Sequence, residues 1–298
     1  MTAFWESVVA SVVANLIYTL LIALVILLIT SIVIKRGRRT LFSMMCIRPD
    51  GAVVRVYLSR LDVLRGGSKG TDGVLKVGFT GPALMQLEYE AALYFRRLLQ
   101  DRFLDALPRP IRTLIQRRNP YLSRIDFQVD VAPDEHSYLS VLDYGVDSTI
   151  FLGSDVYNHA VRSIYRGNRT FVRFVDERTG KNFDSAHDDQ GEPTFAVRTE
   201  DAWHVIAGRS RGREIGIIQR VTLDTGRRVL MCAGISASAT HGAARFFCEN
   251  WRALRKRFDE DDFLVVLAFR DQAADVRPVR PAEELPDLSR HRSTSRPE

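Results

Sequence analysis

Apolar residues occupy every helical face from Ser7 to Ile34, a run of 28 residues without a charge. At roughly 1.5 Å per residue this makes a helix of about 42 Å, longer than the roughly 30 Å hydrocarbon layer of a bilayer. The pattern predicts one N-terminal transmembrane helix that crosses with tilt. A cleaved secretory signal needs positive charge ahead of a shorter apolar region and a small-residue cleavage site behind it. Here Glu6 is the only charge ahead, and Lys35, Arg36, Arg38 and Arg39 follow at once. Basic residues are retained on the inner face of a membrane. The expected placement is therefore a single pass through a cell inner membrane, with residues 1–6 outside and the C-terminal domain cytoplasmic.

Residues 35–50 read as a basic juxtamembrane linker, with 40–50 a short connection. From there the periodicity alternates between that of strands and that of helices over residues 51–270. Ala52 to Leu58 alternates as a strand does, Arg65 to Gly73 is a glycine-rich loop, and Val74 to Phe79 reads as a second short strand. Thr80, Gly81 and Pro82 resemble a helix start with proline in the first turn. Leu84, Leu87, Ala91, Tyr94, Phe95, Leu98 and Leu99 then recur at helical spacing to about Phe103. Short helices are expected over Ile111–Arg117 and Tyr138–Leu142, and strands over Ile125–Val131 and Ser148–Leu152. Asp155 to Tyr165 is helical in pattern. Four β-like runs follow, Thr170–Val175, Thr194–Arg198, Trp203–Ala207 and Ile215–Leu223, with turns that suggest hairpins. Arg228–Ala233 leads through Gly234–Ser238 into a helix from about Thr240 to Phe258, and Phe263–Phe269 is a continuous apolar strand. The tail 271–298, rich in proline, arginine and serine, is expected to be disordered.

Two continuous apolar strands, each running through a small-residue turn into a helix, indicate strands buried on both faces. The expected fold class is therefore an α/β layered domain behind the transmembrane helix, with a mixed sheet and a β-hairpin insertion.

Charge narrows the partners. The formal net charge is +6, of which Lys35, Arg36, Arg38 and Arg39 less Glu6 supply +3. The remainder is spread too thinly for a surface that tracks phosphates, so nucleic acid is not an expected partner. The basic cluster suits anionic lipid headgroups. Cys46, Cys232 and Cys248 show no metal-ligand or redox spacing, and Cys232 and Cys248 read as buried apolar fillers.

Two turns could carry chemistry. Ligands in open α/β sheets sit at the carboxyl ends of strands, where glycine permits close approach and a helix start attracts anions. Gly153, Ser154 and Asp155 hold that position after the first strand, with Asn158 one turn later; the competing role is simple helix capping. Gly234, Ser236, Ser238 and Thr240 hold it after the second, with small residues that serve a phosphate or ribose cradle and tight helix-on-sheet packing equally well. Neither a Walker loop nor the dinucleotide fingerprint is present. His241 could act as a base or donor, or be a solvated cap. His136, His159, His187 and His204 lack ligand spacing, so no metal is expected. Asp184, Asp188, Asp189 and Glu192 lack EF-hand order and read as a solvated loop.

The apolar strand into Gly153-Ser154-x-x-x-Asn158, with the later Ala233-Gly234 and Thr240-x-Gly242-Ala243-Ala244, resembles an uncharacterised prokaryotic Rossmann-like domain found fused to transmembrane helices or DNA-binding modules. The resemblance covers about residues 138–258 and implies a Rossmann-like fold and a site at the two turns; it carries no activity. Ser154 stands where a second glycine is usual.

Three functions are open to this sequence. The first is a membrane-tethered domain that binds or senses a small anionic ligand, nucleotides included, in the crevice between the turns. The second is an enzyme that cleaves an N-glycosidic bond of a nucleoside or NAD, with Asp155 or Glu249 catalytic. The third is a membrane scaffold for a protein partner. The bilayer is an expected partner in all three, a homo-oligomer is left open, and no cofactor is indicated.

Overall fold

A computed structural model describes residues 2–49, 53–59, 61–62, 82–83, 86–100, 109, 112–113, 121, 125–131, 148–153, 158, 161–162, 164, 170–183, 191–198, 202–206, 213–223, 225–270 and 278–279. The expected strand Val74–Phe79, the helix Tyr138–Leu142, the loop Arg65–Gly73 and the acidic run 184–189 lie outside them.

Helix α1, Thr2–Met44, is 43 residues long, about 65 Å. From Ser7 to Ile26 every residue is exposed, Val12, Val13, Ile17 and Leu24 by 63%, 47%, 57% and 61%, whereas Leu27, Thr30, Ser31 and Ile34 nearer the domain are half-buried. It is long and apolar enough to span a membrane.

Where a connection is expected over 40–50, the helix continues to Met44 and locks into the domain. Leu41, Phe42, Met44, Met45 and Ile47 are buried in its core. The helix then ends in a Schellman turn: Ile47 N–H donates to Phe42 O at 2.8 Å and Cys46 N–H to Ser43 O at 3.3 Å. Cys46 takes the left-handed conformation at φ 58°, a position that usually holds glycine. Arg48 N–H reaches Ser148 Oγ at 2.9 Å, which ties this exit to the amino-terminal end of a core strand.

The strands are β1 Val53–Leu58, β2 Leu61–Asp62, β3 Pro82–Ala83, β4 Asp126–Val131, β5 Ser148–Leu152, β6 Val172–Asp176, β7 Pro193–Arg198, β8 Trp203–Val205, β9 Arg213–Thr222, β10 Arg228–Gly234, β11 Phe263–Arg270 and β12 Pro278–Val279. Helix α2 is Gln86–Leu99 and α3 is Ala237–Phe258. Pro82 does not open α2 as expected. Pro82 pairs with Asp62 across a two-residue antiparallel ladder, a short edge that tolerates its missing N–H, and the helix begins four residues later. Of the expected helix Ile111–Arg117, Arg112 and Thr113 are described, and both are helical.

Seven strands form one mixed sheet in the order β12-β11-β9-β10-β5-β1-β4. β4, β1, β5 and β10 run parallel, and β9 is antiparallel to both β10 and β11. Alternation along each strand divides the core. Val54, Val56, Leu58, Ile150, Leu152, Leu230, Cys232 and Ile218 pack with α2, α3 and the end of α1. Tyr57, Phe151, Val229, Met231, Ile217 and Val221 face the other way, against Val161, Ile164 and a separate three-stranded antiparallel sheet, β6-β7-β8. Burial on both faces is why β5 and β10 read as unbroken apolar runs. The tail expected to be disordered contributes Pro278 and Val279, which pair with Phe269 and Ala268 at the sheet edge.

Candidate functional site

The chain places β4 on one side of β1 and β5 on the other. Strand order therefore reverses between β1 and β5, the point where open α/β sheets leave a crevice at their carboxyl ends. Three strand ends meet along this edge: β1 runs out at Ser59, β5 at Gly153 and β10 at Gly234. In the β5–β10 register Leu152 faces Cys232, and Gly153 N–H donates to Cys232 O at 3.1 Å. Gly153 and Gly234, the glycines at which the two turns singled out in the sequence begin, thus stand at the ends of neighbouring strands.

The chemistry at the reversal comes from α2. Glu88, in the first turn of that helix, is 2% exposed. Its Oε2 accepts Ser59 N–H at 2.8 Å and its Oε1 accepts the Ser59 hydroxyl at 2.9 Å. Burial pushes the Glu88 carboxyl above its ordinary value, while the two bonds from Ser59 pull the other way. Gly153 completes the cluster at φ 100°. A Cβ there would collide with Ser59 Oγ and come within 2.8 Å of Glu88 Oε1. Only glycine combines that backbone conformation with that approach.

Glu88 and Ser59 are not among the sequence candidates, yet a signal was present. The buried stripe of α2 is Glu88, Ala91, Ala92, Phe95 and Leu99, a helical face in which one position carries a charge. Leu87, expected on that face, is 38% exposed.

Asn158 is fully buried and its amide is engaged locally. Nδ2 donates to Leu152 O at 3.1 Å, and Oδ1 accepts Val161 N–H at 3.2 Å. It closes the end of β5 onto the start of the following helical turn, the role of an N-cap. Ser154 and Asp155 lie outside the described residues.

The β10 turn is dense. Gly234 pairs with Gly216 across β9. A Cβ on Gly234 would collide with Thr240 N and lie 2.6 Å from Ala239 Cβ, and one on Gly216 would be 2.8 Å from Ala239 O. These two glycines bring the first turn of α3 onto the sheet. Ser236 caps that helix, its Oγ accepting Ala239 N–H at 3.1 Å and donating to Glu214 Oε2. Ser238 Oγ lies 2.9 Å from Ser236 Oγ, and Thr240 Oγ1 donates to Ser236 O at 3.1 Å. Glu214 thereby supplies negative charge at the positive end of the helix dipole.

His241 points at α2. Its ring lies 5.2 Å from that of Tyr94, and burial lowers its pKa from the ordinary value. Glu249 pairs with Arg245 at 2.8 Å on the exposed face of α3. It stands three turns along the helix from this edge.

Among the described residues no group of three His, Cys, Asp or Glu side chains is placed to hold a metal ion. All three cysteines are free thiols. Burial pushes Cys46 up to about 12 and raises Cys232 and Cys248 well above the ordinary thiol value, which leaves them poor nucleophiles.

Fold and site together define a mixed α/β domain led by one long apolar helix, with a buried carboxyl where its strand order reverses. Comparison with family models, with curated proteins and with solved structures gives no match.

Proposed function

We propose that this chain is a membrane-tethered, Rossmann-like domain that binds or senses a small anionic ligand of nucleotide type at the carboxyl edge of β1, β5 and β10, with α1 crossing the membrane and the domain on its cytoplasmic side. The observation that carries the reading is Glu88. A carboxyl kept in an otherwise apolar helix stripe, held by both donors of Ser59 at the strand reversal, is costly to bury, and its location is where ligands are taken in this class of sheet. Carboxyl groups accept hydrogen bonds from hydroxyl and amino groups. Glu88 and Glu214 therefore favour a ligand with such donors beside its negative charge, a nucleotide rather than a bare phosphate.

The test is thermal unfolding of the full chain in detergent against nucleotides, nucleosides and inorganic phosphate. A ligand at a hundred times its Kd adds about 2.7 kcal/mol to the stability of the state that binds it. The expected outcome is stabilisation by at least one nucleotide, none by phosphate, and loss of the response in Glu88→Gln. A folded protein stabilised by no nucleotide contradicts the reading.

The raised pKa of Glu88 also favours a second reading, in which it serves as the general acid or base of an enzyme acting on an N-glycosidic bond. Release of base from NAD or a nucleoside, abolished by Glu88→Gln, distinguishes this from binding alone.

A further inference from the structure

The two ends of the parallel strands face different surroundings. The candidate site occupies the carboxyl ends, whereas α1 enters at the amino ends, where Arg48 meets the start of β5 and Arg220, near the end of antiparallel β9, touches Met44 Sδ at 3.5 Å.

Between β11 and β5 that amino edge runs from acidic to basic, although Arg255 pairs with Asp259 at 2.6 Å and Glu260 at 3.8 Å, and exposed Asp126 opens β4 two strands beyond β5. The turn before β11 holds Asp259, Glu260 and Asp261, all exposed. Arg228 opens β10, two strands further along, and Arg48 sits by Ser148 of β5, three strands along. At roughly 4.8 Å per strand the acidic and basic ends are about 14 Å apart. Arg48 and Arg228 are both exposed, and Arg228 lies within electrostatic reach of Cys46 at the end of α1.

The apolar run of α1 is about 12 Å longer than the hydrocarbon layer, and such a surplus is taken up by tilt. A tilted helix running unbroken into the domain lowers one side of it. From Ile34 to Met44 is about 15 Å of helix. The headgroup layer occupies the first 5–7 Å or so, and the surface potential extends roughly 8 Å further. An arginine on the lowered side enters that field.

We propose that the β10–β5 end of the amino edge rests on anionic lipid headgroups through Arg48 and Arg228, so that the carboxyl edge at Ser59, Gly153 and Ser236 is held away from the bilayer and turned towards water-soluble ligands. This rests on the reading of α1 as a span with the domain on the anionic leaflet.

The full chain is reconstituted in nanodiscs of phosphatidylcholine with and without phosphatidylglycerol, bearing a fluorophore at Thr225→Cys in the exposed β9–β10 turn or at Ser238→Cys on the opposite edge. Cys232 is buried, and Cys46 and Cys248 are half-buried with thiols that ionise poorly, so the chain without an added cysteine is treated with the fluorophore alongside to give the background. Headgroup-borne quencher is expected to quench the Thr225 label only in the anionic discs. High salt reverses this, and Arg48→Gln with Arg228→Gln lowers the docked-to-lifted ratio by up to roughly thirtyfold. The Ser238 label stays bright throughout. Equal quenching at Thr225 in both lipids, indifference to the arginine substitutions, or quenching at Ser238 overturns the proposal. A chain that elutes apart from the discs removes the span itself and the proposal with it.

Discussion

At the scale of single residues the carboxyl of Glu88 makes the sharpest statement. Its pKa is raised in the fold above the ordinary value of 4.5, so the folded state binds a proton more readily than the unfolded chain. Its favourable contribution is complete below about pH 4.5 and is lost as pH rises through the higher folded value. Denaturant melts of wild type and Glu88→Gln should show this directly. Wild type is expected to lose stability relative to the variant as pH is raised from 4.5 towards neutrality, and a pH-independent difference contradicts the assignment. Residues of this kind are hard to see in a sequence because glutamate in a first helical turn is common on electrostatic grounds alone. Phase reveals it: Glu88 lies three and four residues before Ala91 and Ala92, inside the buried stripe. Gly153 and Gly234 were legible because glycine at a strand end has few uses. Whether such a glycine faces a ligand or a helix depends on atoms from distant segments. At Gly234 the neighbour is the first turn of α3.

At the scale of elements the informative joint is that between α1 and the domain. Arg220 of β9 is fully buried. Its Nε donates to Asp261 O at 2.9 Å and its Nη2 to Asp259 O at 2.9 Å, at the carbonyl end of α3, while its guanidinium lies 5.0 Å from the Phe263 ring centroid. Helix C-termini favour cations, so α3 and the end of α1 are clasped by one side chain. Arg220→Ala leaves those carbonyls unpaired and is expected to cost about 3 kcal/mol. Hydrogen exchange of the full chain should then show amides 41–47 losing protection before those of β5. Uniform loss, or none, speaks against the clasp. The sequence hid this joint because no glycine or asparagine marks the end of α1; Cys46 takes that place. The basic residues 35–39 read as linker, although the apolar side chains that fix the helix come just after them. Strands β1, β4, β5, β7, β9, β10 and β11 were legible to within a residue or two, since alternation and continuous apolar runs are local signals. The start of α2 was not, because Pro82 serves a helix and a short edge strand equally well from sequence alone.

At the scale of the whole molecule a 43-residue helix leads into a mixed sheet with α2 and α3 on one face and a three-stranded sheet, together with the helical residues Val161 and Ile164, on the other. The apolar run was the clearest feature of the sequence because hydrophobicity without periodicity has few soluble explanations. The strand order, which places the reversal between β1 and β5, was beyond sequence patterning, since register is set by long-range pairing. The proposed function depends throughout on α1 crossing a membrane with the domain on its cytoplasmic side. The most direct measurement is labelling of Thr2→Cys and Ser238→Cys chains with a membrane-impermeant thiol reagent, in intact and in permeabilised cells. Cys at position 2 is expected to react in intact cells and Cys at 238 only after permeabilisation. Reaction at 238 in intact cells contradicts that placement.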